Sequence, residues 1–217
     1  MKIKIFYTSH RQITEYKLSS YLFNKSEFFK KNSDILICYN NDNICDNDIL
    51  NECSYDTKVD IIKVRNSGFR NGLLTSIYDC FEHFKGYDFV IHFHPDVFIT
   101  DEKKLQNLLE EEINTDNQII VDYHPNLNHN THKTYSTDFF IFKPNIYNFF
   151  NEVDIHNPCI PEEFLYKMID KYQIPHRKIY RGIECAHHNI DDYGLIHCHD
   201  LSRIKSIIDG NKPNNGW

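Results

Sequence analysis

An α/β fold with a mixed, mostly parallel sheet flanked by helices is what this sequence predicts, and three observations predict it. Apolar runs of strand length alternate with stretches of helical periodicity through the first half of the chain, the pattern of parallel strands joined by crossover helices. The length of 217 residues suits one substantial core, so positions 1–217 are expected to form a single domain. Polar residues gather where the strands end, at Thr8–His10, Arg65–Arg70, His94–Asp96 and Asp122–His124. In open α/β sheets, ligands bind outside the carboxyl ends of the strands.

The elements follow in order. Ile3–Tyr7 is a buried strand that opens into the polar loop Thr8-Ser9-His10-Arg11,. Leu18, Tyr21, Leu22 and Phe28 recur at helical spacing, so one covering helix is expected from about Thr14 to Lys30,. Asp34–Tyr39 is the next strand, followed by a loop of Asn and Asp residues, and Val59–Val64 is the third. Leu73, Leu74, Ile77, Tyr78, Phe81 and Phe84 form a helical stripe that Gly86 closes,. Tyr87–Phe93 is apolar on both faces, hence a central strand, and the proline of His94-Pro95-Asp96 suits its end,. A helix over Glu102–Ile113 has an acidic solvent side. Gln118–Tyr123 is a strand, His124–Ser136 a histidine-bearing loop, and Thr137–Phe142 a strand stopped by Pro144. Pro161 opens a helix to about Lys171, with Glu162 and Glu163 placed for the helix dipole,. Gly194-Leu195-Ile196 reads as a short buried strand.

Composition narrows the function. The chain is 41% hydrophobic and 25% charged, values of a folded protein rather than a disordered one,. A net charge of -7 with no long Lys/Arg block argues against a nucleic-acid partner,. No apolar run reaches membrane-spanning length, so no transmembrane segment is expected, and Met1–Tyr7 is too short for a signal-peptide core,. Seven scattered cysteines suit reduced thiols and a cytoplasmic location,. No Gly-rich dinucleotide fingerprint and no phosphate loop ending in Gly-Lys-Ser/Thr is present,.

Several side chains could carry chemistry. His92, His94 and Asp96 alternate, so all three share a face if the extended geometry persists. A carboxylate with imidazoles suits manganese, zinc or iron better than calcium. The alternative makes His92 a satisfied core histidine and Asp96 the start of a turn. His197 and His199 are again two apart and could complete the same metal shell, or form a solvent-facing pair. Glu162 or Glu163 could serve as general base, or only stabilise the helix end; Asp138 is a second base candidate. Arg65 and Arg70 flank Gly68 and could grip a phosphate with guanidinium forks,. The loop with His124, His129 and His132 is either a lid or a polar surface.

In element order from Lys4 to about Asp200, the chain resembles a small glycosyltransferase of the GT-A fold, a nucleotide-sugar-binding fold. The stretch Tyr87-Asp88-Phe89-Val90-Ile91-His92-Phe93-His94-Pro95-Asp96 matches its strand that ends in an Asp-x-Asp motif. Asp96 matches the second, metal-binding carboxylate, and His94 stands where the first Asp is expected. The resemblance implies a nucleoside-diphosphate-sugar donor and a glycan or small-molecule acceptor. It implies Mn2+ or Mg2+ held by Asp96 and His94 with a late histidine, His197 or His199. Thr8 and His10 would lie near the nucleoside, Arg65 and Arg70 near the diphosphate, and Glu162, Glu163 or Asp138 would act as the base of an inverting displacement. Two other functions use the same residues: a metal-dependent hydrolase of a phosphorylated or acylated small molecule, and a non-catalytic binding domain of similar fold.

Overall fold

The computed structural model describes residues 1–9, 13–65, 68–123, 135–146, 161–180, 191–198 and 200, with backbone alone for 68–71. Its first half runs β1 (Ile3–Ser9), α1 (Glu15–Lys25), α2 (Glu27–Asn32), β2 (Ser33–Tyr39), α3 (Asp46–Glu52), β3 (Val59–Lys63), α4 (Gly68–Asp79) and β4 (Phe89–Phe93). Then come β5 (Val97–Ile99), α5 (Glu102–Glu112), β6 (Ile119–Tyr123), β7 (Tyr135–Phe142), α6 (Pro161–Tyr172), β8 (His176–Ile179) and β9 (Leu195–His197).

Seven strands form one sheet in the order β3-β2-β1-β4-β7-β6-β8, and β5 and β9 form a separate pair. All neighbours of the large sheet run parallel except at β7, which is antiparallel to both β4 and β6. The carboxyl ends of β1, β2, β3, β4 and β6 therefore lie on one rim. The mixed, mostly parallel sheet matches the sequence expectation, with β4 in the interior.

Successive residues of each strand point to opposite faces, and both faces are covered. One face carries Ile5, Ile37, Ile91 and Ile141, packed with Tyr16, Phe29, Ile49 and Leu109 from α1, α2, α3 and α5. The other carries Phe6, Leu36, Val90 and Phe140, packed with Leu74 and Ile77 of α4 and Leu165 and Ile169 of α6. Burial on both sides is why these strands read as unbroken apolar runs. Lys4 is the exception in β1: its chain is buried, and its ammonium sits 3.7 Å from Asp60 and 4.6 Å from the centre of the Tyr87 ring.

Several local expectations need correction. The single helix over Thr14–Lys30 is two helices, because Ser26 leaves helical geometry. Its hydroxyl caps α2 by accepting the Phe29 N–H and donates to the Glu102 carboxylate,. The Asn/Asp loop after β2 contains α3, anchored by the buried Ile49. In the stripe that follows, Tyr78 is exposed, and Phe81 and Phe84 lie on a 3-10 turn rather than on the helix. Gly86 does adopt the left-handed backbone, at φ +85,. Strand β4 begins at Phe89, not Tyr87, and β7 already begins at Tyr135. Glu112, on the side of α5 expected to face solvent, is buried and meets Arg177 of β8 at 2.7 Å, Asn117 at 2.9 Å and Thr115 at 2.8 Å. Among the described residues no helix is long and apolar enough to cross a membrane.

Arg177 bridges Glu111 and Glu112, so it ties the edge strand β8 to α5. Removing it leaves a buried carboxylate with only neutral donors. Arg177→Ala is expected to lower stability by about 1–2 kcal/mol, short of the full loss of a buried pair because Arg177 is itself part-exposed. Urea denaturation measures this; a midpoint within error of the parent would show that the bridge contributes nothing net.

Candidate active site

Where β4 ends, the chain turns: the Val97 N–H donates to the His94 carbonyl at 3.0 Å. The extended geometry therefore does not persist to Asp96, although the His92 and His94 rings still meet edge to face, with centroids 5.5 Å apart. His92 stays inside, wholly buried, with Nε2 2.8 Å from the Thr8 hydroxyl and its ring against Phe6 and Phe140. Burial first, then the neighbouring His94, pull its pKa well below 6.5, so it is a neutral imidazole at neutral pH. His92 is thus a core histidine but not a fully satisfied one: Nδ1 has no hydrogen-bond partner among the described residues, and Nε2 meets Thr8 at the rim.

His94 and Asp96 belong to a different constellation. The Nδ1 of His94 lies 3.1 Å from Asp138 on β7. The backbones meet there too, since the His94 N–H donates to the Asp138 carbonyl at 2.9 Å. Asp96, only 2% exposed, faces His197 of β9, with Oδ2 3.5 Å from Nε2. The other ring nitrogen of His197 is 3.5 Å from the second Asp138 oxygen. The order is therefore His94–Asp138–His197–Asp96, an alternating row of imidazoles and carboxylates. The short sheet aligns it: β5 pairs with β9, and beyond that pair the Cys198 N–H donates to the Asp96 carbonyl at 3.0 Å.

Charge in this row is mutually supporting. Burial works against the imidazolium of His94, but the Asp138 carboxylate outweighs it, with Asp96 and Glu162 adding in the same sense, and the pKa ends above 6.5. Burial likewise works against ionised Asp96, and His197, then His94, more than offset it, holding the carboxyl below 3.8,. Asp138→Asn is accordingly expected to lower the His94 pKa, read from its ring signals in an NMR titration. A raised imidazole pKa adds stability that is complete below the unfolded value of about 6.5 and is lost as pH rises through the folded value. The stability gap between parent and Asp138→Asn should thus be wider near about pH 6 than near about pH 9; a gap constant across that range would refute the pairing.

The remaining sequence candidates divide. Glu162, in the first turn of α6, accepts a hydrogen bond from the Thr137 hydroxyl at 3.0 Å, beside Asp138. Glu163 turns instead to Lys167, 3.0 Å away. Thr8 is on the rim, and Arg65 is exposed beyond β3. His10, the side chain of Arg70, the loop with His124, His129 and His132, and His199 lie outside the described residues. Among the described residues no three His, Cys, Asp or Glu groups are arranged to hold a metal ion. Sequence reasoning missed Asn40, buried at the end of β2, whose Nδ2 would be only 2.6 Å from a Cβ at position 72. Gly72 is the signal that could have found it, since a Cβ there would require the Asn40 amide to shift. Asp191 was also missed, and accepts the Tyr193 and Leu195 N–H groups at 2.8 and 2.9 Å in the turn that leads into β9.

No family model matches the sequence, and no curated protein matches it. Solved structures do. A mannosyltransferase from Pyrobaculum calidifontis in complex with GDP-Man and Mn2+ matches with a TM-score of 0.60 at 8% identity, covering 82% of this chain and 55% of that one. The chain thus spans about half the length of that enzyme. A putative glucose-1-phosphate thymidylyltransferase from Bacillus anthracis matches with a TM-score of 0.57 at 9% identity, over 99% of this chain and 98% of that one. A 4-diphosphocytidyl-2C-methyl-D-erythritol synthase from Anaerococcus prevotii gives 0.54 at 10% identity, over 96% and 97%. The fold is the GT-A-like one. At such identities the likeness is one of fold alone.

Proposed function

We propose that the chain uses a nucleotide-linked substrate at the rim of its sheet, and that it is a glycosyltransferase moving a sugar from a nucleoside-diphosphate-sugar to an acceptor hydroxyl. The observation that carries this reading is the buried Asp96 at the end of β4, set against His197 from the β5–β9 pair. It sits in a fold shared with a mannosyltransferase solved with GDP-Man and Mn2+. A buried carboxylate whose ionisation is governed by specific charged partners at a strand-end rim is a functional-site candidate.

In this reading Glu162 removes the acceptor hydroxyl proton as that oxygen attacks the anomeric carbon. The bond from that carbon to the diphosphate breaks, and the departing oxygen takes the electron pair. Imidazolium His94, held in place by Asp138, offers positive charge to the leaving group. Thr8 and Arg65 are assigned to the donor. Mn2+ or Mg2+ is the cofactor that the sequence resemblance implies, and Asp96 would anchor it; the described residues do not form its cage.

Nucleotidyl transfer is the second reading, favoured by the end-to-end coverage of the thymidylyltransferase and the cytidylyl synthase. Against it, the first 67 residues contain no glycine. A nucleotidyl-transfer site must bring backbone N–H groups close to a triphosphate, which glycine permits. Two assays separate the readings: release of UDP or GDP from a panel of nucleotide-sugars, and release of pyrophosphate from nucleoside triphosphates with sugar phosphates. The transferase gives the first and not the second. Pyrophosphate release would reverse the assignment, and calorimetry showing no binding of any nucleoside di- or triphosphate, with or without Mn2+, would end both.

A further inference from the structure

Beside α6, between the start of β7 and the edge strand β8, lies a groove of about 260 Å3. Two tyrosine rings wall it, Tyr135 and Tyr166, with centroids 5.8 Å apart, and Tyr123 continues the aromatic surface 6.2 Å from Tyr135. Asp170, Gln173, His176 and Lys178 supply its polar lining. Hydrogen bonding orients part of this wall. His176 Nδ1 is 2.9 Å from the Ile174 carbonyl, which can only accept, so Nδ1 bears the proton and Nε2 is the acceptor for the Tyr135 hydroxyl at 3.4 Å,. Burial, then the neighbouring Tyr166, pushes the Tyr135 phenol up to about 12, so it stays a neutral hydroxyl.

The composition of the groove selects a ligand class. One carboxylate and one ammonium face it, leaving no surplus charge to attract a phosphate. The part-exposed Tyr166 ring presents a flat apolar face backed by the buried Tyr135, while amide, imidazole, carboxylate and ammonium groups present donors and acceptors around it. A pyranose has the matching surface: its axial C–H bonds form an apolar face that packs on a ring, and its hydroxyls project to the side. The volume lies just under the usual range for ligand pockets, about 300–1,000 Å3, which suits one or two sugar rings.

Position selects the role. Glu162, Tyr166 and Asp170 succeed one another at four-residue intervals, so they descend one side of α6, and Gln173 follows just past its end. The groove therefore begins about one helical turn, about 6 Å, below Glu162, which contacts Thr137 in the candidate active site. We propose that this groove binds a neutral saccharide, and that the saccharide is the acceptor chain whose terminal hydroxyl reaches Glu162. The second half of that statement rests on the glycosyltransferase reading; saccharide binding itself does not.

The test uses maltotriose, cellotriose, chitotriose and α-1,2-mannotriose as probes, titrated into the full chain while ring signals of Tyr135, Tyr166 and His176 are followed by NMR. At least one trisaccharide is expected to shift all three, whereas UDP and GDP alone leave them in place. Tyr166→Ala should weaken that binding about tenfold or more through loss of the stacking face. Asp170→Ala, at an exposed position that cannot unfold the core, should weaken it about threefold or more. Nucleoside diphosphate affinity should be unchanged in both, and thermal melts check folding. Failure of every trisaccharide to move these signals, or equal binding by both variants, overturns the proposal. If saccharides fail while UDP or GDP binds at the rim, the groove assignment falls and the transferase stands. If saccharides bind in the groove and no nucleotide binds anywhere, the groove stands and the transferase falls.

Discussion

Turnover should fall about 10²–10³-fold when Asp96 is replaced by asparagine, a loss in kcat/KM much larger than the accompanying loss of stability. The side chain is 2% exposed and meets His197 at 3.5 Å, so the isosteric amide keeps the shape and removes only the charge. Asp96→Ala should lose at least as much activity and also about 1–3 kcal/mol of stability, because His197 then has Asp138 as its remaining carboxylate partner. The pH dependence follows from the lowered carboxyl pKa. A depressed folded-state pKa contributes stability that is present above the unfolded value of about 3.9 and disappears as pH falls through the folded value. The advantage of the parent over Asp96→Asn should thus persist at neutral pH and vanish in acid. Steady-state kinetics paired with denaturation at both pH values tests each half. An asparagine variant with near-parental turnover would remove Asp96 from the chemistry, and with it the main support for the glycosyltransferase reading.

How much of this was legible in the sequence depends on how each element is stabilised. Strands β1, β2 and β4 are covered on both faces, so their apolar runs stand out with no knowledge of neighbours. Strand β8 is His176-Arg177-Lys178-Ile179 with one buried residue. Its place comes from pairing with β6 and from the Arg177–Glu112 bridge, neither of which leaves a local pattern. Helix α3 hides for a similar reason: one buried side chain, Ile49, in a run of Asn and Asp gives no periodicity. The rim was legible because parallel strands end on one side by construction. The pairing within it was not. His94 and Asp138, 44 positions apart in sequence, meet because β7 runs antiparallel to β4 in one particular register. Asp96 reaches His197 only because a three-residue strand, β5, finds β9. Residue types named the chemistry; the long-range register selected which of them touch.

That dependence makes Gly194 the most exposed point of the design, and Gly194→Ala is expected to cost about 2–5 kcal/mol. Two effects combine. The residue sits at φ +76, where a Cβ costs about 1–2 kcal/mol. A Cβ there would also overlap the Asp101 carbonyl oxygen and come within 2.9 Å of the Asp101 Cβ, and relieving such overpacking costs about 1–3 kcal/mol more. The backbone cannot simply move away. The Gly194 carbonyl accepts from the Thr100 and Asp101 N–H groups at 2.8 and 3.1 Å, and Asp101 is the N-cap of α5. Gly86 provides the internal control, since it has φ +85 with nothing within 4 Å of its would-be Cβ. Gly86→Ala should show the backbone strain alone, about 1–2 kcal/mol, and leave turnover intact. Gly194→Ala should be less stable than that control by the steric part and should also lose activity at temperatures where it remains folded, because β9 delivers His197 to Asp96 and Asp138. Chemical denaturation and low-temperature kinetics on the two variants make the comparison direct. Equal stability of the pair would mean that the Asp101 contact yields freely, and parental turnover in folded Gly194→Ala would mean that the alignment of β9 does not govern the site.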